Sequence, residues 1–369
     1  MTGIYVHIPF CLQKCNYCDF CSYPSMLSNA DSYCDALARE AESYCGKNIF
    51  ADTIYFGGGT PSILSSMQLG KVLDSIYKNF DISSNVEITI EANPGTVTNE
   101  KAKEFKTLGF NRVSLGAQSF CDKELSILGR IHTADDTEKC YDLLRDAGFE
   151  NISLDLMYAI PGQNMQSLSS SASQLLNLSP EHISCYGLKI EEGTPFEKML
   201  ERGEITEKSD DEYADMYAFI CNTLKEAGYS QYELSNFAKK GFESRHNTKY
   251  WLGDDYVGLG AAASSKLGSN RFTHIANLES YMKSFENEES YELSNEDEMS
   301  EFMFLSLRMT KSGASKEIFE NRFGISIEKA FQEAIRKHTS NGMILDEGDR
   351  YILAPKAYYI SNYVLSDFV

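Results

Sequence analysis

Short apolar, β-branched segments alternate with longer amphipathic segments through the first 230 residues of this 369-residue chain. Six segments are predicted strands: Ile4–Ile8, Thr53–Phe56, Val86–Ile90, Arg112–Leu115, Ile152–Leu156 and His182–Leu188. Five intervening segments are predicted helices: Asp31–Cys45, Met67–Lys78, Asn99–Leu108, Asp135–Ala147 and Gln166–Leu176. Strands and helices that alternate at this spacing indicate parallel strands joined by right-handed crossovers. The pattern favours an α/β fold with a partial (β/α)6 barrel of the TIM type; an open doubly wound sheet is the alternative.

Three cysteines follow the first predicted strand at Cys-x3-Cys-x2-Cys spacing, as Cys11, Cys15 and Cys18. Three thiolates on one loop can hold three irons of a [4Fe–4S] cluster, which leaves the fourth iron open to a ligand's amino and carboxylate groups. Zinc sites prefer four protein ligands, commonly from paired Cys-x2-Cys modules, and the chain has no second such pair. The spacing therefore predicts an iron–sulfur cluster. Six cysteines elsewhere are predicted to be small buried hydrophobic residues: Cys34, Cys45, Cys121, Cys140, Cys185 and Cys221.

Other chemically distinctive residues fall directly after successive predicted strands. Gly57–Pro61 follows the second strand, Glu91–Gly95 the third and Gln118–Phe120 the fourth. Arg130 lies shortly after the fourth strand, and Asp155 closes the fifth. Ligands of such barrels bind at the C-terminal ends of the strands. We therefore expect these residues to surround one site next to the cysteine loop.

The cysteine spacing, with Tyr17 directly before the third cysteine, resembles that of the radical S-adenosylmethionine (SAM) superfamily. The segment Tyr5–Cys11, followed by Asp19 and Phe20, is similar to the oxygen-independent coproporphyrinogen III oxidase (HemN-like) group. Within that group the chain looks most like the shorter HemW-type proteins, the proposed haem chaperones, and the resemblance runs from Tyr5 to the C-terminus. It implies that Cys11, Cys15 and Cys18 hold the cluster and that SAM chelates its open iron.

The resemblance also implies a set of SAM-binding residues on the loops around the cluster. They are Tyr5, Tyr17, Gly58, Gly59, Thr60, Glu91, Gln118, Arg130 and Asp155. Successive glycines let the backbone approach a ligand closely, and a carboxylate at the end of a strand can accept both ribose hydroxyls. The structural alternatives are a solvated loop acid at Glu91, a hydrogen-bonding Gln118, and a buried ion pair between Arg130 and Asp155.

The segment His246-Asn247-x-x-Tyr250-Trp251 resembles the His-Asn-x-x-Tyr-Trp motif of HemW-type proteins. In that group the histidine is the proposed axial ligand of haem, and an imidazole is a suitable ligand for haem iron. The motif falls in a stretch, 236–256, that is predicted to be a mobile loop. The alternative is a loop histidine that packs and forms hydrogen bonds. His7 is expected to line the cluster pocket as a hydrogen-bond donor.

Two departures separate the chain from the oxidases of the group. Phe20 stands where those oxidases carry a further cysteine, and Cys21 is one residue out of register. Only ten residues precede Cys11, whereas the oxidases have a longer N-terminal extension. Both departures favour a haem chaperone that receives an electron from a donor such as a flavodoxin or ferredoxin and passes haem to acceptor proteins. Oxidative decarboxylation of coproporphyrinogen III to protoporphyrinogen IX is the alternative, and a scaffold with a purely structural cluster is a third possibility.

The net charge and the hydropathy of the chain restrict the classes of partner that it can bind. A formal net charge of −20 argues against nonspecific binding to nucleic acid, which needs a basic surface. No apolar run approaches 18 residues, and the N-terminus lacks a basic segment followed by an apolar one. We therefore expect a cytoplasmic protein without an integral membrane segment.

The composition changes after the sixth unit. We divide the chain into a barrel core at 1–230, an extension with the histidine motif at 231–297 and a smaller domain at 298–369. Tyr229–Ser235 is a predicted strand, and the acidic segment Glu286–Glu298 suggests the second boundary. The last domain has predicted helices at Met299–Met309, Lys316–Phe323 and Ile327–Asn341, and then a hairpin around Glu347-Gly348-Asp349. This order predicts a mainly helical, winged-helix-like domain.

Overall fold

The computed structural model describes all residues, 1–369. Its strands are β1 Thr2–Ile8, β2 Phe50–Gly58, β3 Asp81–Ala92, β4 Arg112–Gln118, β5 Ile152–Tyr158, β6 His182–Gly187, β7 Ser230–Gln231, β8 Asn236–Ala238, β9 Tyr256–Leu259, β10 Ser264–Leu267, β11 Asn270–His274, β12 Asn287–Glu292, β13 Ala314–Ser315, β14 Ile344–Asp346 and β15 Arg350–Leu353. Its helices are α1 Ala30–Glu42, α2 Ser66–Asn79, α3 Asn99–Thr107, α4 Asp122–Ile127, α5 Ala134–Asp146, α6 Met165–Leu178, α7 Pro195–Glu201, α8 Asp210–Glu226, α9 Arg245–Leu252, α10 Leu278–Ser284, α11 Asn295–Ser306, α12 Lys316–Phe323, α13 Ile327–Ala330, α14 Gln332–Ser340 and α15 Ser361–Leu365.

Strands β1 to β6 lie side by side in chain order, and every pair among them is parallel. This arrangement confirms the predicted partial (β/α)6 barrel. Strand β9 adds to β1 in parallel, and β10, β11 and β12 continue that edge with antiparallel pairing. At the other edge β8 pairs with β6, and β7 with β8, both antiparallel. The C-terminal ends of the six parallel strands therefore meet at one face, where the cysteine loop begins.

The two faces of the barrel strands differ in polarity. On β4, Val113 and Leu115 are fully buried in the main hydrophobic core, which the surrounding helices complete. Arg112 and Ser114 alternate with them and therefore face the inside of the barrel. Barrel interiors of this kind are usually filled by branched apolar side chains. The inside of this barrel therefore carries polar side chains on β4.

The structure corrects the prediction for 229–256. Tyr229–Ser235 is not one strand, because only Ser230–Gln231 is extended before the chain turns back as β8. The turn is set by buried Glu233, whose carboxylate accepts from the backbone N–H of Ser235 at 3.0 Å. The predicted mobile loop is also wrong, since it contains helix α9. Ser244 caps α9 by accepting from the backbone N–H of Asn247 at 3.3 Å.

The C-terminal part forms a second hydrophobic core around α11 to α15. The predicted helix Ile327–Asn341 is broken at Phe331 into α13 and α14, and a three-stranded sheet of order β13–β15–β14 packs beside the helices. The acidic segment before α11 contains β12, whose residues are all exposed at the edge of the main sheet. No helix has the length and apolar character needed to cross a membrane.

Candidate functional site

The cysteine loop is fixed to the turn that follows α4. The backbone N–H of Asn16 donates to the carbonyl of Leu128 at 2.9 Å, and its side-chain amide donates to the carbonyl of Ile127 at 2.8 Å. The amide of Gln13 donates to the carbonyl of Gly129 at 3.0 Å. Gly129 has a φ of +72°, and a Cβ there would lie 3.0 Å from the Asn16 side chain. The loop conformation is thus set by contacts more than 100 residues away in sequence.

Two of the three predicted cluster ligands receive hydrogen bonds at sulfur. The hydroxyl of Thr60 donates to Sγ of Cys11 at 3.5 Å, and Nη1 of Arg130 donates to Sγ of Cys15 at 3.6 Å. Such donors stabilise a thiolate and tune the potential of an iron–sulfur cluster. Burial raises the pKa of the Cys18 thiol to about 11, so a bound metal must supply the positive charge that ionises it.

The three thiols suit a cluster better than a single ion. No three His, Cys, Asp or Glu side chains converge closely enough to hold one metal ion. A [4Fe–4S] cube instead takes one thiolate on each of three irons, and three cysteines of one loop supply that number. The residues present therefore fit the predicted cluster.

A hydrogen-bonded chain joins the loops after three strands to the cysteine loop. Nη2 of Arg130 donates to Oδ1 of Asn93 at 2.6 Å and to the carbonyl of Gly116 at 2.8 Å. The amide of Asn93 in turn donates to Thr60 at 2.9 Å. Arg130 has no direct ion pair with Asp155, so the structure does not contain that alternative. Asn93 belongs to the Glu91–Gly95 segment that is predicted to lie at this site, although it is not among the predicted SAM-binding residues.

The glycine loop packs directly on the strand and loop that precede Cys11. Gly58 has a φ of +107°, and a Cβ there would lie 2.4 Å from the His7 ring. A Cβ on Gly59 would lie 2.5 Å from the carbonyl oxygen of Phe10. We expected these glycines to admit a ligand. Close contacts within the protein also demand glycine at both positions.

Gly59→Ala should therefore damage the cysteine loop and not only a ligand contact. The new methyl group must displace the Phe10 backbone, which is bonded to Cys11. We expect a large loss of iron bound per protein after anaerobic reconstitution, measured by iron and sulfide analysis. Gly70→Ala is the matched control, because Gly70 lies in α2 and a Cβ there meets only a Leu108 side chain at 3.2 Å. Normal iron content in folded Gly59→Ala protein would contradict this reading.

Glu91 and Asp155 face the barrel interior. Oε1 of Glu91 accepts from the Tyr55 hydroxyl at 2.8 Å, and Oε2 accepts from the Gly58 backbone N–H at 3.1 Å. Burial, and to a smaller extent the nearby Asp155, raises the pKa of Glu91 to about 7 against the hydrogen bonds from Tyr55 and Gly58. Burial likewise raises the pKa of Asp155 to about 6, against a hydrogen bond from Ser114 at 3.3 Å. Glu91 is thus a partly exposed strand residue at the mouth of the interior, not a solvated loop acid.

Tyr5 and His7 continue this inner surface towards the cysteine loop. Nε2 of His7 donates to the carbonyl of Cys21 at 2.9 Å, so Nδ1 is the acceptor for the Tyr5 hydroxyl at 3.0 Å. Burial lowers the pKa of His7, which keeps the ring neutral. The thiol of Cys21 faces the Tyr23 hydroxyl at 3.5 Å, with the Ala276 carbonyl on the same side. Its contacts lie outside the hydrogen-bonded chain that joins Cys11 and Cys15.

The remaining predicted SAM residues flank this arrangement. Gln118 ends β4 with a φ of +65°, a left-handed backbone that is uncommon outside glycine and is often found at functional sites. Tyr17 packs against a small apolar cluster that includes Leu128 and Phe196. Burial raises the pKa of the Tyr17 hydroxyl, while Arg130 opposes that shift. A cleft beside Cys15 and Arg130 is also lined by His132, which the sequence analysis missed.

His246 lies in the barrel towards the N-terminal ends of the strands. It is 1% exposed, and its ring stacks on Tyr55 at 5.1 Å between centroids. Nδ1 is hydrogen bonded to Thr53 at 2.8 Å and Nε2 to the Tyr250 hydroxyl at 2.9 Å. Burial lowers the pKa of His246 to about 3. The imidazole is therefore neutral, but in this conformation neither nitrogen is open to a haem iron.

Helix α9, which carries His246, is held in place by two buried acids. The Glu87 carboxylate accepts from the backbone N–H of His246 at 3.1 Å and of Arg245 at 3.3 Å. Asp52 forms ion pairs with Nζ of Lys249 at 2.7 Å and with Nη2 of Arg245 at 3.0 Å. Burial alone would raise the pKa of Asp52, but its hydrogen bonds with Lys249 and Arg245 hold it below its ordinary value.

The other side of α9 contacts the C-terminal part of the chain. The guanidinium of Arg308 lies 4.5 Å from the centre of the Trp251 ring, a cation–π contact. Helix α9 is thus held at the end of the barrel that lies away from the cysteine loop. Predicted and observed site residues consequently form two groups, one around the cysteines and one around His246.

Comparison with known proteins bears on both groups. Residues 5–175 match the family model described as the radical SAM superfamily, and residues 293–360 match the HemN C-terminal domain. A protein named heme chaperone HemW from Lactococcus lactis is 38% identical over 371 residues, which covers 100% of this chain and 97% of the relative. The protein of the same name from Bacillus subtilis is 36% identical, and the alignment covers 100% of this chain and 99% of that relative. The protein of that name from Haemophilus influenzae is 32% identical, and the alignment covers 100% of this chain and 97% of that relative.

Among solved structures, coproporphyrinogen III oxidase (HemN) from Escherichia coli superposes with a TM-score of 0.85 and 21% identity. The superposition covers 100% of this chain and 89% of the HemN chain. At this identity the likeness establishes a shared fold. It agrees with the parallel six-stranded barrel and the helical C-terminal domain described above.

Proposed function

Because the chain belongs to the HemW group of the radical SAM superfamily, we propose that it binds a [4Fe–4S] cluster, SAM and haem and delivers haem to acceptor proteins. The observation that carries the proposal is identity of 36–38% over the full length to relatives named heme chaperone. Phe20, at the position of the extra cysteine of the oxidases, agrees with it and is 64% exposed on the cysteine loop.

In this proposal Cys11, Cys15 and Cys18 hold the cluster, and the residues around Glu91 hold SAM. When bound, these groups supply one-electron reductive cleavage of SAM, and the protein orients them. Thr60 and Arg130 place hydrogen-bond donors on the sulfurs, while Glu91 offers carboxylate oxygens to hydroxyl groups of the ligand. A flavodoxin or ferredoxin would be the electron donor, in the cytoplasm.

His246 is the proposed axial ligand of haem, and its surroundings add a condition. Both ring nitrogens are hydrogen bonded inside the barrel, and the side chain is buried. Ligation by this residue therefore requires α9 to leave its position. Haem binding would then be slow unless a partner or a bound cofactor releases the helix, which suits a carrier that must retain its cargo between partners.

Glu91→Ala should weaken SAM binding by about 1.5–3 kcal/mol, the usual worth of a hydrogen bond to a charged group, or roughly tenfold to a hundredfold in Kd. Equilibrium dialysis with reconstituted protein measures the change. Glu91→Gln keeps an acceptor oxygen without the charge and should lie between Glu91→Ala and the wild type. Iron content should be unchanged in both variants. Wild-type SAM affinity in Glu91→Ala would leave this residue without the proposed role.

One reconstituted sample, with SAM and reductant present, tests the function as a whole. We expect added haem to give a Soret band that survives gel filtration, and coproporphyrinogen III to remain unconverted. Transfer should follow when the haem-loaded protein is mixed with an apo haem protein. Robust conversion of coproporphyrinogen III without haem binding would favour the oxidase alternative instead.

A further inference from the structure

Arg112 is a buried arginine whose Nε has no hydrogen-bond partner in the protein. Its side chain is 1% exposed, and Nε donates to no protein atom. Thr89, the residue paired with it across β3 and β4, also has a buried hydroxyl without a partner. An unpaired buried charge is costly unless an opposite charge or a ligand compensates it. Neither strand geometry nor packing explains why arginine occupies this position.

The compensating charges lie one step along the same inner surface. Glu91 is two residues beyond Thr89, and it pairs with Ser114, two residues beyond Arg112. Ser114 donates to Oδ1 of Asp155 at 3.3 Å. Side chains two residues apart on a strand share one face, so Arg112, Glu91 and Asp155 all face the barrel interior. The interior thus holds Arg112 and three carboxylates, and no direct ion pair joins Arg112 to any of them. The third carboxylate, that of Glu87, lies two residues before Thr89 on the same face and accepts from the backbone N–H groups of Arg245 and His246.

The other titratable groups near these residues do not supply a positive charge between the carboxylates. Tyr55 donates to Glu91, and Arg130, which also faces Asp155, is bound to Asn93 and Gly116. The histidines that face Arg112, His182 and His246, are neutral because burial lowers the pKa of each. Tyr232 and Tyr186 complete the surroundings as neutral phenols, since burial raises their pKa values. Arg112 is therefore the one cation that faces both carboxylates without a competing partner.

We propose that Arg112 is a positioning residue of the SAM site, which favours the carboxylate forms of Glu91 and Asp155 so that they can accept hydrogen bonds from the ligand. The inference rests on the proposed SAM site but not on haem binding. A merely structural arginine would contribute packing and stability. An arginine that acts through its charge also sets the pH at which the site begins to bind SAM, and that pH can be measured.

The sign of the effect follows from the direction of the shifts. Burial raises the pKa of Glu91 to about 7 and of Asp155 to about 6, and Arg112 opposes both shifts. SAM affinity of the wild type should therefore increase as the pH rises through about 7, as Glu91 ionises. Removing the positive charge should move this midpoint upward, by about one pH unit for an opposite charge close by. At pH 7 such a rise leaves about a tenth of Glu91 ionised instead of about a half, so the variant should bind SAM about fivefold more weakly there and recover at alkaline pH.

The experiment compares Arg112→Gln with Arg112→Lys in reconstituted protein. The Kd for SAM is measured by equilibrium dialysis across the pH range. The carboxyl infrared band of the SAM-free protein is titrated in parallel, with Glu91→Gln and Asp155→Asn to assign it. We expect both midpoints to rise in Arg112→Gln and to stay near the wild-type values in Arg112→Lys, which keeps the charge.

Unchanged midpoints in Arg112→Gln would overturn the proposal, even if the variant were less stable. If Arg112→Gln does not fold, Arg112→Lys decides, because a raised midpoint despite the retained charge would refute an electrostatic role. Wild-type protein that binds no SAM would instead refute the proposed SAM site. The infrared titration would still report on Arg112 in that case, so the two failures are distinguishable.

Discussion

Replacing Cys11, Cys15 or Cys18 by alanine should abolish the visible absorption of the [4Fe–4S] cluster after anaerobic reconstitution, whereas Cys21→Ala should leave it intact. The first three cysteines supply one thiolate for each of three irons, so the loss of any one leaves an iron without its protein ligand. The Cys21 thiol instead contacts Tyr23 and Ala276. Only its backbone carbonyl reaches the site, through His7, and alanine keeps that carbonyl.

Iron and sulfide content, together with the electron paramagnetic resonance signal of the reduced cluster, measures this outcome. Cys34→Ala is a useful second control, since Cys34 is buried in α1 within the main core. It should cost some stability and leave the cluster intact. If Cys21→Ala loses the cluster as fully as Cys15→Ala does, the three-ligand assignment is wrong.

The sequence was sufficient for the parts of the fold that repeat with a regular period. The six parallel strands and the five helices between them were predicted because each apolar strand and each amphipathic helix carries its own local pattern. The cysteine loop was predicted for a similar reason, since all three cysteines lie within eight residues. Features that depend on contacts between distant residues were not accessible in this way.

Helix α9 illustrates the second kind of feature. Its stability comes from Glu87 at its first turn and from Asp52 beside Lys249, two acids more than 150 residues away in sequence. The local sequence alone therefore looked like a polar loop. Resemblance to a family motif identified His246 but carried no information on its burial. Glu233 and Arg112 were missed likewise, because a pattern of polar residues does not tell an inner surface from an exposed one.

Loosening α9 should speed haem binding if His246 is the axial ligand. Asp52→Asn removes the charge that pairs with Lys249 and Arg245, and breaking a buried pair of this kind typically costs about 3–5 kcal/mol. Even a third of that cost, spent on opening α9, would raise the open fraction about tenfold. We expect a rise of at least that order in the rate of haem association, measured by stopped-flow absorption, and faster amide exchange across 244–252.

Asp135→Asn is the matched control, because Asp135 pairs with Lys139 on an exposed helix surface and such pairs contribute little. His246→Ala, alone and combined with Asp52→Asn, completes the set. The alanine should remove or shift the Soret band in both backgrounds while the cluster content stays unchanged.

The comparison of Asp52→Asn with His246→Ala separates two roles for the histidine. If His246 and α9 merely close the end of the barrel, Asp52→Asn should still show faster amide exchange. Haem would then bind at the wild-type rate, and His246→Ala would keep the Soret band. Haem would then be held elsewhere, with His7 or a cysteine as the next ligand to test. If His246 is a haem ligand that becomes available only when α9 opens, the amide-exchange rate and the haem-association rate should change together. Every substitution that opens α9 would then raise the rate of haem association in proportion to the open fraction. The proportionality itself is therefore the decisive observation, since a structural histidine gives no reason for it.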